Sequence, residues 1–357
     1  MRVKSDFFYR KFGSYCQKPY FCDCNYQSKM FMYTTKMKER VVGVDIGLEL
    51  TTYAIVDLRG NIIARDNFPT EEYASISSYV SKLAESIMLL AEANGGYETI
   101  RSVGISCPSA NFKTGCIENA PNMPWKGVIP LAALLRDRLG LAVAVGNDCH
   151  IMALGEHAFG CAHGMKDFIM LGLGHGVGSS VFTRNKAHLG ANGFAGEIGH
   201  TCVVDNGRQC TCGLKGCLEA YVSTRGIVMT AKEVLEESDK PSLMRGVEKL
   251  SPKIITEFCD KGDELAIEVY RRTGYILGIS MATAASQLDP EAIILAGGIH
   301  HAGKWLIDPA QESFDQHVFH NIRGKVKLLI TTLDDRERDR LGASALAWEV
   351  EEYSLFK

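Results

Sequence analysis

Hydrophobic and polar positions follow two different periods along this chain, one typical of strands and one typical of helices. Three short strand-like runs begin at Val41: VVGVDIG, TTYAIVD and NIIARDNF. The stretch from about Glu71 to Ala93 then has the spacing of an amphipathic helix, and it ends at Asn94-Gly95-Gly96, where a helix is expected to stop. This order predicts a small meander of strands followed by a helix that packs on the sheet.

The same alternation continues to the C-terminal end. Strand, helix, strand and helix are predicted in turn for IRSVGIS, LAALLRDRLG, LAVAVGND and CHIMALGEHAFG. In the second half, KDFIMLGLG and GSSVFT predict a hairpin, and helices are predicted at 223–237, 253–260 and 263–286. Two strands (EAIILAGGI and KVKLLITT) and a helix (GASALAWEVEEY) follow. Both halves open with a hairpin and a glycine turn, which suggests an α/β fold with an internal duplication that sequence similarity alone is too weak to establish.

Composition excludes several classes of protein. The chain has 357 residues, of which 46% are hydrophobic and 23% charged, as in a soluble globular protein with room for two domains. The net charge is −3, so the basic surface of a nucleic-acid-binding domain is not expected. No apolar run approaches the roughly 18 residues of a membrane helix, and the first residues lack the apolar core of a signal peptide. A cytoplasmic location is the expectation.

Residues 1–38 differ from the rest of the chain. They contain eight Lys or Arg and two acidic residues, whereas the remainder has 31 basic and 40 acidic residues, a net charge of −9. A basic binding arm is one interpretation. We favour a disordered tail, or a start codon assigned too far upstream, because Met30, Met32 and Met37 all precede the first predicted strand.

Three of the twelve cysteines form a tight group with a histidine. His200, Cys210, Cys212 and Cys217 lie within 18 residues, together with glycines that a metal-binding loop needs. Three thiolates and one imidazole complete a tetrahedral zinc shell. Packing alone rarely places four such residues so close, so the pattern predicts a structural zinc with no open coordination position.

Two glycine-containing turns are candidates for phosphate binding. In the first, Asp45 and Gly47 precede Thr51, so that backbone N–H groups and the threonine could reach a phosphate while the aspartate reaches a metal ion. In the second, at 172–179, Gly172, Gly174, Gly176 and Gly178 alternate with other residues and would let the backbone approach a polyphosphate. Either turn could equally be a plain hairpin.

Carboxylates form the remaining candidates. Asp148 follows a predicted strand directly, where open α/β sheets bind their ligands, and it could act as a general base. Asn147 and Asp148 could instead cap the helix that follows. Glu197 and Glu219 flank the cysteine group and are suited to binding sugar hydroxyls, although exposed surface glutamates are the commoner case.

Together these residues resemble the ROK family of sugar kinases and repressors, which has the ASKHA-type ATPase fold. The resemblance covers about residues 41–350, and its most specific part is the Glu197–His200 segment joined to the cysteine group. The motifs that carry it are DIG at 45–47, ENAPNMPWKG at 118–127, ND at 147–148, the 172–179 turn, GFAGEIGH at 193–200, CTCGLKGCLE at 210–219 and LAGG at 295–298.

The resemblance implies a role for each residue. Asp148 would be the general base that accepts the proton of the sugar 6-hydroxyl. Asp45 and the glycine turns would face ATP and Mg²⁺, and Gly297 and Gly298 would lie near the adenosine. His200 would bind zinc through one ring nitrogen and the sugar through the other. The implied sugar contacts are Asn122, Asn147, Glu197, His200 and Glu219.

The family also implies an architecture and an activity. The expected fold has two lobes built from duplicated βββαβαβα units: a small lobe of residues 39–148 and 342–357, and a large lobe of residues 149–341 with the zinc loop. The expected activity is ATP-dependent phosphorylation of a hexose, with glucose as leading substrate, by a homodimer or homotetramer that takes part in glycolysis.

Departures from the family pattern leave alternatives open. Leu48 and Glu49 stand where the first phosphate turn usually has Gly and Thr; His150 replaces Asn and His175 replaces Thr. The substrate could be mannose, fructose, allose or an N-acetylhexosamine, because one or two hydroxyl contacts decide the choice. A sugar-binding protein with a weakened ATP site is a second hypothesis. A transcription regulator is a third, for which 38 residues ahead of the body are too few to form a DNA-binding domain.

Overall fold

Two five-stranded sheets of equal topology form the framework of the computed structural model, which describes residues 38–120, 123–335 and 337–350. The predicted N-terminal tail therefore lies outside the described residues, except for Lys38. The strand orders are β3-β2-β1-β4-β8 and β11-β10-β9-β12-β13. The strands are Arg40–Ile46 (β1), Leu50–Asp57 (β2), Ile62–Pro69 (β3), Ile100–Ser106 (β4), Ala142–Gly146 (β8), Phe168–Leu173 (β9), Val177–Thr183 (β10), Lys186–Ala187 (β11), Ala292–Ala296 (β12) and Lys327–Ile330 (β13).

Each sheet starts as an antiparallel meander and is extended by two parallel strands. Strand β1 pairs antiparallel with β2 and parallel with β4, and β9 pairs in the same way with β10 and β12. This repeat confirms the predicted α/β fold class and its duplication. The helices are Ile76–Ala93 (α1), Leu131–Leu139 (α2), Asp148–Phe159 (α3), Glu219–Val222 (α4), Thr224–Glu236 (α5), Pro252–Asp260 (α6), Glu264–Leu288 (α7), Lys304–His317 (α8) and Arg338–Glu349 (α9).

Some element boundaries differ from the sequence predictions. Helix α1 starts at Ile76 rather than near Glu71, because the Ser75 side chain accepts a hydrogen bond from the Ser78 N–H and caps the helix there. Helix α8 has no counterpart among the predictions, and it contains Pro309, a residue that argues against a helix interior. A three-stranded sheet, Ala110–Asn111 (β5), Cys116–Glu118 (β6) and Val128–Ile129 (β7), was also not predicted. None of the described helices has the length and hydropathy needed to cross a bilayer.

Helices α3 and α9 lie between the two sheets and contact each other. Helix α9 packs on β1 and β4 of the first sheet, while α3 packs on β9 and β10 of the second. Their shared core includes Ile151 and Leu154 of α3 and Ala343 and Leu346 of α9, all of them buried. This helix pair therefore joins the two halves of the molecule.

Glycines allow this close packing. A Cβ atom on Gly104 of β4 would lie 1.9 Å from the Ala343 carbonyl oxygen, and one on Gly43 of β1 would lie 2.2 Å from that of Arg340. A Cβ on Gly342 of α9 would lie 2.1 Å from the Ile151 carbonyl oxygen of α3. These contacts are with backbone, which cannot rotate away, so a side chain at any of the three positions would push α9 off its neighbours.

We predict that Gly104→Ala destabilises the fold. The added methyl group forces α9 away from β4, and overpacking of this kind costs about 1–3 kcal/mol. The free energy of unfolding, measured by urea denaturation, is expected to fall by that amount. Gly246→Ala is the matched control, since a Cβ there meets nothing within 4 Å. Equal stability of the two variants would contradict this account of the α9 contact.

Candidate active site

A cleft of about 710 Å³ opens at the carboxyl ends of strands from both sheets. Residues that follow β8, β9 and β12 contribute to its walls, which is the expected position for a ligand in an open α/β sheet. Most of the predicted site residues line it together. They are Asn147, Asp148, Gly174, Gly176, Gly178, Glu197, His200, Glu219 and Gly297.

Asn147, and not Asp148, is the N-cap of helix α3. The Asn147 Oδ1 accepts a hydrogen bond from the His150 N–H at 2.7 Å. Asp148 is the first residue of the helix, and its Oδ1 accepts from the Cys149 N–H at 2.8 Å. The Asp148 side chain opens onto the cleft. The capping role that competed with a catalytic role for Asp148 therefore belongs to its neighbour.

Strand register brings a second carboxylate close to Asp148. Asp45 on β1 pairs with Ser106 on β4, and Ser106 pairs with Gly146 on β8, which directly precedes Asn147. Burial raises the pKa of Asp45 to about 7, and the negative charges of Asp339 and Asp148 contribute to the rise. Two predicted acidic residues, about 100 positions apart in sequence, thus share one electrostatic environment.

The first turn of α9 adds charged residues that the sequence analysis missed. Arg338, Asp339 and Arg340 lie there, and both arginine side chains are buried. Desolvation raises the pKa of Asp148, whereas the Cys149 N–H and the positive charge of Arg338 oppose the rise. The only sequence signal was an Arg-Asp-Arg run in a polar segment, which is indistinguishable from a solvated helix end.

Contacts with strand β10 position Glu197. The Ser179 hydroxyl on β10 donates to the Gly196 carbonyl and accepts from the Ile198 N–H at 2.9 Å, so it holds both neighbours of Glu197. A Cβ on Gly199 would lie 2.0 Å from the Val177 carbonyl oxygen, so glycine is required there. Burial raises the pKa of Glu197; His200 opposes this effect, and Asp148 and Glu219 add to it.

The histidine and three cysteines come together in a group that could hold a metal ion. One donor atom from each of His200, Cys210, Cys212 and Cys217 lies within 4.8 Å of all the others. The Cys212 and Cys217 sulfurs are 3.7 Å apart, and the Cys210 sulfur is 3.8 Å from His200 Nδ1. A tetrahedron with Zn–S bonds of about 2.3 Å has edges of about 3.8 Å. The residues therefore fit zinc, and His200 would use Nδ1 and keep Nε2 for the cleft.

Glu219 links the cysteine loop to the glycine turn. Its Oε1 accepts a hydrogen bond from the Thr211 hydroxyl at 2.8 Å, and its Oε2 accepts from the Val177 N–H at 3.0 Å. A Cβ on Gly176 would lie 2.6 Å from Glu219 Oε2. The loop itself is anchored by Arg208, which donates to the Ala220 and Gly226 carbonyls and pairs with Glu233. The cysteine loop thus fixes a carboxylate that faces the cleft.

Five predicted residues outside the cysteine loop are not among those lining the cleft. The Thr51 side chain is buried, and its hydroxyl lies 2.8 Å from the hydroxyls of Thr70 and Tyr79, so it is engaged in the core. The Gly47 N–H donates to the Leu50 carbonyl in the β1–β2 turn. Gly298 lines a separate cavity of about 330 Å³. Asp45 interacts electrostatically with Asp148, and Asn122 lies outside the described residues.

The departures from the family pattern have different surroundings. His150 is buried near Phe112 and Phe182, and burial lowers its pKa to about 4, so the ring is neutral at physiological pH. Leu48 and Glu49 are exposed, so water screens the Glu49 charge. His175 is exposed at the tip of the β9–β10 turn and lines the cleft.

Fold and cleft together define a two-lobed protein of the ASKHA-type fold. The ROK family profile matches residues 41–350. This chain belongs to the ROK family, and the resemblance seen in the motifs is confirmed.

Known relatives include both kinases and repressors. Glucokinase from Halalkalibacterium halodurans is 31% identical over 298 residues, which cover 82% of this chain and 90% of the relative. A solved structure of a ROK family glucokinase from Streptomyces griseus, in complex with glucose and AMPPNP, shares 30% sequence identity with this chain. The two structures superimpose with a TM-score of 0.69, and the match covers 87% of this chain and 100% of the glucokinase. The regulator NagC of Escherichia coli is 27% identical over 85% of this chain and 74% of its own length.

We predict that Cys212→Ser removes the metal and weakens sugar binding. The change deletes one of three thiolates, and the freed loop no longer fixes Thr211 and, through it, Glu219. Metal analysis should find about one zinc per chain in the unmodified protein and well below one in the variant. Calorimetry with glucose should show the accompanying loss of affinity.

Cys202→Ser is the matched control for this experiment. Cys202 is an exposed cysteine on the same loop, but it is not part of the metal-binding group. It should retain both zinc and glucose affinity. The metal assignment fails if the gently purified, unmodified protein contains no zinc, or if both variants behave alike.

Proposed function

We propose that this chain catalyses ATP-dependent phosphorylation of a hexose at its 6-hydroxyl group, with glucose as the leading substrate. The observation that carries the proposal is the Asp148 carboxylate, which opens onto a cleft where Glu197, His200 and Glu219 converge. Similarity to glucokinases over most of the chain supports the same class of reaction.

The side chains that line the cleft suit a polyhydroxylated ligand. The Glu197 and Glu219 carboxylates accept hydrogen bonds from hydroxyl groups, and His200 Nε2 adds a further polar contact. Because Glu219 is held by Thr211 and Val177, it loses little side-chain freedom on binding. The Asn147 amide nitrogen remains available as a donor, since its oxygen caps α3. Asn122 is proposed as a contact on the family resemblance alone.

The reaction needs a base at the attacking hydroxyl and donors around the phosphates. Asp148 would accept the proton of the 6-hydroxyl as its oxygen bonds to the γ-phosphorus, and the bond from that phosphorus to the ADP oxygen breaks. A raised pKa makes Asp148 a stronger base than an ordinary aspartate. The glycine turn at Gly174–Gly178 would place backbone N–H groups near the phosphates.

Two carboxylates that interact with Asp148 are proposed as ligands for magnesium. Asp45 and Asp339 supply the oxygen ligands that Mg²⁺ prefers. Asp339 Oδ1 is buried, lies 3.5 Å from Arg338 Nε, and makes no hydrogen bond within the described part of the chain. Bound Mg²⁺ would neutralise phosphate charge during transfer. A cation there would also relieve the repulsion that contributes to the raised pKa of Asp45.

The nucleotide is proposed to extend along Gly297 and Gly298. Gly297 lines the main cleft, and Gly298 lines the neighbouring cavity of about 330 Å³. Gly297 has a φ of 82°, and a Cβ there would lie 2.3 Å from the Leu173 carbonyl oxygen, so a side chain is excluded. The phosphates would then lie in the cleft and the adenosine in the cavity, where Tyr270 and Ile299 provide apolar surface.

A sugar-binding regulator without kinase activity is the second candidate. Similarity to NagC favours it, since that relative is a DNA-binding regulator. The two candidates differ in turnover and not in sugar affinity, so one substitution that leaves sugar binding intact can separate them.

We predict that Asp148→Asn lowers turnover on the order of 10²-fold or more, the usual contribution of a positioned base. The fold should survive, because Asn147 caps α3 and an asparagine oxygen can still accept from the Cys149 N–H. The rate is measured as ADP release with glucose, and glucose affinity is measured separately by calorimetry. Affinity should change little.

Asp137→Asn, at an exposed position on α2, is the matched control and should keep the unmodified rate. An unchanged rate in Asp148→Asn would remove the proposed base from the mechanism. Glucose binding by the unmodified protein without ADP release would favour the regulator.

A further inference from the structure

A second group of metal-binding side chains lies at the edge of the second sheet. His300 and His301 follow β12, and Asp335 follows β13. Strands β12 and β13 are parallel neighbours, from Ala292 paired with Lys327 to Leu295 paired with Ile330, so the segments that follow them meet at one sheet edge. One donor atom from each of the three side chains lies within 4.8 Å of the others.

Neighbouring groups already orient two of the three side chains. His300 Nδ1 donates to the Gly297 carbonyl, which leaves Nε2 as the free acceptor nitrogen. Arg338 Nη1 donates to Asp335 Oδ1 at 2.6 Å and leaves Oδ2 facing His301 Nε2, also at 2.6 Å. Metal-binding histidines and carboxylates in proteins are commonly held by such second partners.

We propose that His300, His301 and Asp335 bind a divalent transition-metal ion, with zinc as the leading candidate. Two imidazoles and one carboxylate suit zinc and related ions better than Mg²⁺, which prefers oxygen ligands. Three protein ligands leave a coordination position open to water or to a bound molecule. His301 also lines the 330 Å³ cavity beside Gly298, so the ion would lie at its rim.

The geometry requires only a small local change. Zinc bonds of about 2.0–2.1 Å place tetrahedral ligands about 3.3 Å apart, so the 2.6 Å contact between His301 and Asp335 has to open. The side chain of His301 is 63% exposed, which leaves it room to move. The ion would take the place of the proton in the hydrogen bond between His301 Nε2 and Asp335 Oδ2, so a positive charge would still lie between the two side chains.

This site is separate from the cysteine loop. His200, Cys210, Cys212 and Cys217 form a sulfur-rich group that should bind zinc more tightly than two imidazoles and a carboxylate. The two sites therefore should fill in sequence as zinc is added. The inference does not depend on kinase activity, and its test measures metal binding directly.

The full chain is first loaded with one equivalent of zinc, and more zinc is then titrated in. A chromogenic chelator competes for the metal and reports free zinc. The unmodified protein should take up a second equivalent. His301→Ala and Asp335→Asn should each lower the affinity for the second zinc by at least about tenfold. Loss of a residue that only hydrogen-bonds a metal ligand already lowers metal affinity by about that factor.

Two further variants separate metal binding from a purely structural contact. His301→Gln can keep a hydrogen bond to Asp335 but provides a poor zinc ligand, so it should retain thermal stability and lose the second zinc. His317 is an exposed histidine at the end of α8, and the His317→Ala variant should keep both its thermal stability and the second zinc. The proposal is overturned if the unmodified protein binds only one zinc, or if His301→Gln binds the second zinc as tightly as before.

Discussion

Close backbone contact between helices α3 and α9 holds the two sheets in a fixed arrangement. Gly342 meets the Ile151 carbonyl at a distance that excludes any Cβ atom, and Gly104 does the same between β4 and α9. One side of this pair belongs to the core of the second sheet, while Leu341 and Ala347 of α9 pack with Val41, Ala54 and Val56 of the first sheet. The N-terminal end of α3 presents Asp148 to the cleft, and Asp339 in the first turn of α9 adds negative charge near Asp45. Backbone packing thus sets the relative position of the charged groups.

A buried carboxylate reinforces this arrangement and shows how structural and functional acids differ. Glu156 on α3 accepts hydrogen bonds from the Cys161, Thr332 and Leu333 N–H groups and from the Thr331 hydroxyl. It ties α3 to the segment that leads into α9. Asp148, two turns earlier, has one backbone partner and opens onto the cleft. A carboxylate with free acceptor capacity is the one that can exchange a proton with a ligand.

Much of the fold and part of the candidate site could be predicted from the sequence, because the patterns that indicate them lie within short segments. Strand and helix periods predicted both sheets, and the spacing of Cys210, Cys212 and Cys217 predicted their meeting with His200. Non-local features were missed: the approach of Arg338 to Asp148 depends on α9 packing, which no single segment encodes. Thr51 was predicted to contact a phosphate because it follows a glycine turn. The pleat of β2 instead directs its hydroxyl into the core.

Product analysis across a panel of hexoses would show whether the chain phosphorylates a sugar and which sugar it prefers. The purified chain is incubated with ATP, Mg²⁺ and, separately, glucose, mannose, fructose, allose, N-acetylglucosamine and N-acetylmannosamine, and ³¹P NMR identifies any sugar phosphate. The account predicts release of ADP in step with a 6-phosphorylated sugar, with glucose the best substrate. Calorimetric binding of a hexose with no phosphorylated product from any sugar in the panel would contradict it.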